Sequence, residues 1–169
     1  MGSQQKIFAI SGVKNSGKTT LICRLLEIFS KMGMKVAVIK HDGHEFDADV
    51  PGTDTYRQFE AGAYGTAVFS SGKYMVVKER KNVTEEELMK LFPEADMILL
   101  EGFKNDPYPK IEVIRRGNSV KSVCSGCNLA AIATNIPSEE ILQDSPGVLL
   151  LDIDDPQATA EFILSYHSV

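Results

Sequence analysis

One short run of residues in this chain has the types and spacing needed to hold a polyphosphate. Positions 12–19 read Gly-Val-Lys-Asn-Ser-Gly-Lys-Thr, a complete Gly-x-x-x-x-Gly-Lys-Ser/Thr loop. Glycines at 12 and 17 let the main chain wrap closely, so that successive N–H groups point inward. A helix starting just behind them adds its partial positive charge. Lys18 is expected to reach the β- and γ-phosphates, and the Thr19 hydroxyl to ligate Mg²⁺. Gly12, Val13, Lys14, Asn15, Ser16, Gly17, Lys18, Thr19 and Thr20 thus form the expected binding set. Its chemistry is capture of a nucleoside triphosphate.

Such a loop hydrolyses nothing unaided; it needs an acid to organise metal and water. Glu101 closes the apolar run Met97–Leu100. That run places it at the C-terminal edge of a sheet, where open α/β folds bind ligands. It is the expected catalytic partner of Lys18 and, with Thr19, the expected Mg²⁺ ligand. Gly102 beside it permits a close approach of backbone to ligand.

A polar segment from Lys40 to Arg57 is the next candidate, with His41, Asp47, Asp49 and Asp54 as its binding residues. It suits a second metal, a positioned water, a γ-phosphate switch, or a second phosphorylated or pterin-like substrate held by Lys40, His41 and Arg57. Cys124 and Cys127 form a lone Cys-x-x-Cys. A zinc site there would need two further donors, which a symmetric dimer supplies; two reduced thiols are the plainer reading. Cys23 reads as a core residue and His167 as a solvated residue near the end of the last helix. Guanine-reading loops often carry Asn/Thr-Lys-x-Asp after a late strand. Asn135 stands there without Lys or Asp in register, and Asp152 is a second candidate contact, so the base is not legible.

Alternating strands and helices must position these groups, the pattern of an α/β domain with a mostly parallel sheet. Lys6–Ser11 is a short apolar run before the loop. Behind the loop, Leu21, Leu25, Ile28 and Phe29 fall at helical spacing. Further strands are expected at Met34–Lys40, Asp96–Glu101, Lys110–Arg115, Leu129–Thr134 and Gly147–Asp152. Gly65–Ser70 and Tyr74–Glu79 flank Ser71-Gly72-Lys73 as a β-hairpin. Asp54 is expected to cap a short helix, Thr84 and Glu87 to form a capping box, and helices to begin near Ser138 and Pro156. The fold class is a three-layer α/β/α phosphate-loop domain with a hairpin extension.

The chain has 169 residues, which suits a single nucleotide-binding domain over 1–169. A net charge of −5 argues against general nucleic-acid binding, which needs a basic face. No apolar run is long enough to span a membrane, and the N-terminus lacks a signal-peptide core. Three cysteines suggest reduced thiols and a cytoplasmic location.

The chain resembles the molybdopterin-guanine dinucleotide biosynthesis protein B (MobB) family. The resemblance rests on Gly12–Leu21, Lys40-His41, Phe46-Asp-Ala-Asp-Val-Pro-Gly-Thr-Asp-Thr-Tyr56, Ala61-Gly62-Ala63, Leu99-Leu-Glu-Gly-Phe-Lys104 and Pro109-Lys-Ile-Glu112. It covers most of the chain up to residue 115. The resemblance implies GTP binding with weak Mg²⁺-dependent hydrolysis and a homodimer. It also implies an accessory role beside the guanylyltransferase that attaches GMP to molybdopterin. Gly12, Gly17, Lys18 and Thr19 match the family's nucleotide loop, Glu101 its Mg²⁺-side acid, and His41, Asp47, Asp49 and Asp54 its polar loop. Two other classes stand beside it. One is a small-molecule kinase, for which an arginine lid is poorly supported because Arg115-Arg116 is the sole adjacent pair. The other is a metal-delivery GTPase using His41, His44, Cys124 and Cys127.

Overall fold

The structure is a computed structural model that describes residues 5–43, 46–124, 128–141 and 145–167. The chain divides into two compact units, Met1–His41 with Leu88–Val169, and Asp42–Glu87.

The first unit is built on a six-stranded sheet. In chain order its strands are β1 (Lys6–Ser11), β2 (Val36–Lys40), β5 (Met97–Glu101), β6 (Lys110–Ile114), β7 (Leu129–Thr134) and β8 (Leu149–Asp152). They lie side by side as β2-β5-β1-β6-β7-β8, with every pairing parallel. Parallel neighbours need crossovers, and these are supplied by α1 (Lys18–Lys31), α4 (Ser138–Ile141) and others. The chain leaves β1 toward β2 on one side and later returns to β6 on the other. The carboxyl end of β1 is therefore a topological switch point, where a crevice opens.

Register partners share a face of the sheet, and each face has its own cover. Phe8, Ile10, Leu99, Ile111 and Val113 pack under Leu21, Leu25 and Phe29 of α1 and Ala160 and Ile163 of α5 (Pro156–Ser165). Ala9, Ile39, Ile98 and Leu100 face the other way, against Met89 of α3 (Glu85–Met89). Ile114 and Ile132 meet Ile136 and Ile141 there too. The result is the expected three-layer α/β fold. Each large buried side chain contributes roughly 1.5–3 kcal/mol. Lys6 fixes α5 to β1, its Nζ donating to the carbonyls of Ile163, Leu164 and Tyr166 at 2.8, 2.7 and 3.0 Å. Those carbonyls end a helix and lack partners within it.

The second unit carries α2 (Asp54–Glu60) and an antiparallel hairpin, β3 (Gly65–Phe69) with β4 (Tyr74–Lys78). α2 buries none of its residues. The Lys78 ammonium lies 5.2 Å from the Tyr64 ring centroid. The capping box before α3 is reciprocal, Glu87 N–H donating to Thr84 Oγ1 and Thr84 N–H to Glu87 Oε2, each at 3.4 Å.

Two local expectations need correction. The cap of α2 is Thr53, whose hydroxyl accepts from Tyr56 N–H at 3.3 Å, and Asp54 is the first helical residue. Thr53 keeps an extended φ/ψ, as a cap requires. Cys23 is exposed, because the buried stripe of α1 runs through Leu21, Ile22, Leu25 and Phe29 and turns residue 23 outward. His167, by contrast, lies as expected just past the end of α5 at Ser165, and it is exposed.

Candidate functional site

β1 delivers the chain to Gly12 at the switch point, and the loop then turns sharply into α1. Gly12 has φ +134, and a Cβ there would stand 2.6 Å from the Val113 carbonyl oxygen of the neighbouring strand. Only glycine fits so tight a passage. Gly17 caps α1 in a left-handed conformation and offers no side chain to its first turn. The leading N–H groups of α1 therefore have neither a helical partner nor a side-chain cap, which leaves a ready anion site. Within the loop Ser16 N–H donates to Val13 O at 3.4 Å. The Ser16 hydroxyl is buried and has no hydrogen-bond partner among the described residues.

Lys18 folds back over this loop, its Nζ donating to Val13 O at 2.7 Å. Burial pushes its pKa below the ordinary 10.5; the Glu101 carboxylate pulls it upward and the Lys40 ammonium pushes it down again. A cation held partly desolvated is poised to gain from an anionic ligand.

Glu101 reaches the same place from the next strand. Its register partners are Ile10 on β1 and Lys40 on β2, so its side chain points to the face that α1 covers. Though 7% exposed, it meets Thr19, whose Oγ1 donates to Glu101 Oε1 at 2.7 Å. A hydroxyl and a carboxylate together form a hard, all-oxygen donor pair, which suits Mg²⁺ better than a soft metal. Gly102 follows with φ +105, its N–H donating to Ile10 O at 3.0 Å while its carbonyl accepts from the Ser11 hydroxyl. His41 extends β2, donating its N–H to Glu101 O at 3.1 Å, and its ring lies 5.8 Å from that of Phe103.

The structure thus gathers Gly12–Thr19, Glu101 and the start of the Lys40-His41 segment at one rim of the first unit. Asp47, Asp49 and Asp54 belong to the second unit. Asp49 there organises its own loop, Oδ1 accepting from Val50 N–H at 2.7 Å and Thr53 Oγ1 at 3.2 Å. Hydrogen bonding to the Thr55 side chain holds this carboxyl below the usual range; burial opposes it, and Val50 and Thr53 add to it. Cys127 and His44 lie outside the described residues.

Sequence reasoning missed a buried polar cluster on the opposite face of β1. Ser11 pairs in register with Glu112, and Lys110 sits two residues earlier on the same face of β6. All three are buried, as is Cys124. Glu112 accepts from the Ser122 hydroxyl and, at 2.8 Å, from Val123 N–H. The Cys124 thiol is pushed up to about 12, first by burial and then by the Glu112 charge, with Lys110 drawing it back. The strand Lys-Ile-Glu-Val-Ile alternates like one with a solvated side, so its sequence signals exposure. Asn118 adds a further tie, donating from Nδ2 to Lys14 O at 3.0 Å.

The sequence profile of the family described as molybdopterin guanine dinucleotide synthesis protein B matches residues 7–135. A Bacillus subtilis protein named a probable molybdopterin-guanine dinucleotide biosynthesis adapter protein is 36% identical over 163 residues, 94% of this chain and 91% of that protein. An Escherichia coli molybdopterin-guanine dinucleotide biosynthesis adapter protein is 30% identical, with 95% and 92% covered. The crystal structure of Bacillus subtilis MobB matches with a TM-score of 0.72 at 33% identity, over 95% of this chain and 96% of that one. The chain belongs to the molybdopterin guanine dinucleotide synthesis protein B family.

Proposed function

We propose that this chain is a GTP-binding adapter with slow GTPase activity in molybdopterin guanine dinucleotide biosynthesis, acting beside the guanylyltransferase. The observation that carries the nucleotide part is the union of an uncapped α1 N-terminus, a glycine passage closed to any Cβ, and Lys18 laid over the loop. The adapter part comes from the named relatives.

In this reading Lys18 and the loop N–H groups hold the β- and γ-phosphates and stabilise charge that grows as the γ-phosphoryl group departs. Thr19 and Glu101 would hold Mg²⁺, which would supply further neutralisation of the phosphate charge. Glu101 also orients the attacking water. His41, Asp47, Asp49 and Asp54 serve as the family's polar loop. Cys124 and Cys127 keep their reading as a reduced pair, with zinc only in an intermolecular site.

The hairpin supports the homodimer. Val68, Phe69, Tyr74 and Val76 are all exposed on it, Phe69 at 84%. A two-stranded hairpin is marginal on its own in water, and a second copy covering that apolar surface would stabilise it. No helix among the described residues is long and apolar enough to cross a membrane. A cytoplasmic location, where thiols stay reduced, suits Cys23 and Cys124.

Lys18→Ala tests the core of this reading. Calorimetric titration with GTP and Mg²⁺ should show binding lost in a variant whose melting temperature is close to that of the wild type. Equal affinity in the two proteins would remove the loop from the nucleotide site.

A further inference from the structure

Beyond the phosphate loop lies a shallow, solvent-open depression lined by Gly17, Thr20, Leu21, Arg24, Arg115, Ile153 and Asp154. All of these belong to the first unit. The direction of a bound triphosphate follows from the geometry already given. Lys18, Thr19 and Glu101 draw its terminal end toward β5. The nucleoside must then leave on the other side, over Gly17 and Thr20, and that path opens into this pocket.

The pocket has the make-up of a site for a flat heterocycle. Leu21 and Ile153, both nearly fully buried, give it an apolar floor. Arg115 lies across its phosphate side, with Nη1 3.8 Å from where a Gly17 Cβ would stand. At the rim the Asp154 carboxylate faces Arg24, Oδ1 to Nη1 at 4.0 Å, a distance that leaves room for other donors. The two residues that sequence offered as base contacts are engaged elsewhere. Asn135 Oδ1 accepts from Arg116 N–H at 2.9 Å, and Asp152 Oδ1 accepts from Asp154 N–H at 2.8 Å. The second bond holds the turn that presents Asp154.

We infer that this pocket receives a purine base and that Asp154 selects guanine. A carboxylate only accepts hydrogen bonds. Guanine offers it two adjacent donors, N1–H and the N2 amino group. Adenine turns the lone pair of N1 toward the same place, so the carboxylate meets an acceptor. The apolar floor and the guanidinium groups of Arg24 and Arg115 would hold either ring by its faces, so the edge contact alone decides between them. This inference rests on the nucleotide reading above and adds the residue that sets base preference.

The test is calorimetric titration of the wild type and Asp154→Asn with GTP, ATP, xanthosine triphosphate and inorganic tripolyphosphate, each with Mg²⁺. Asp154 is largely exposed, so the substitution should leave the fold intact. The wild type should favour GTP over ATP by about tenfold or more. The variant should lose GTP affinity by about tenfold to a hundredfold. It should bind xanthosine triphosphate better than the wild type does, because the asparagine amide can donate to the C2 carbonyl of xanthine. Tripolyphosphate should bind both proteins alike. Unchanged GTP affinity in the variant overturns the assignment of Asp154, and so does a parallel loss of tripolyphosphate. A wild type that binds neither GTP nor tripolyphosphate fails at the phosphate loop, and the nucleotide reading falls with it.

Discussion

Two glutamates flank β1, one strand away on either side, and they have opposite fates. Glu101 ends β5 on the face covered by α1 and keeps one oxygen on Thr19 at 2.7 Å. Glu112 sits within β6 on the other face, at 1% exposure, with its oxygens engaged by Ser122 and Val123. The first accepts from a hydroxyl that a metal could take over. The second is enclosed by donors from its own chain and fixes the loop that carries Cys124. Similar burial thus conceals two different environments. Whether the donors around a buried carboxylate come from the fold or await a ligand would separate the catalytic acid proposed for Glu101 from a structural one.

Substitutions should divide along that line. The largest effect is expected from Glu101→Gln, which keeps the shape and the Thr19 contact but removes the charge. GTP turnover should fall about a hundredfold or more while nucleotide still binds. Single-turnover phosphate release checks this, and a normal rate would move Glu101 out of the chemistry. Glu112→Ala should do the reverse. It strands the Val123 N–H and the Ser122 hydroxyl beside buried Lys110, costing about 3 kcal/mol in urea unfolding. Residual folded protein should still bind GTP. If stability is unaffected, the loop is held by something other than Glu112.

The smallest effect concerns the thiol that Glu112 helps to enclose. The Cys124 pKa rises from 9.0 to about 12 on folding, so the native state favours the protonated form. Its contribution to stability is complete below pH 9.0 and is lost as the pH climbs toward about 12. The stability gap between wild type and Cys124→Ala should therefore stay constant up to about pH 9 and narrow as the pH climbs above it. A gap constant across that window would mean that the thiol titrates freely.

Much of this was visible in the residues. Every strand was expected within a few positions of where it lies, because apolar runs bounded by Gly, Pro and polar clusters allow few other readings. The phosphate loop announced itself, since close backbone passage at Gly12 admits one residue type. The errors were local. Cys23 reads as core from its place on the first helix, whereas burial follows the angle around the axis and turns it outward. The burial of Lys110 and Glu112 is not legible in the sequence, because alternation marks a two-sided strand. Here the 115–124 segment lies over their face.

By itself the sequence determined the strand-loop-helix at residues 6–31, the acid at the end of β5 and the hairpin, since all depend on local spacing and on which residues tolerate a given φ. Tertiary structure alone decided which groups meet. Thr19 and Glu101 are far apart in the chain, as are Arg24 and Asp154. They become neighbours only because parallel register and the strand order around β1 bring distant carboxyl ends to one rim. Spacing along a chain carries no record of that order, because crossovers of similar length can seat a strand on either side of the first.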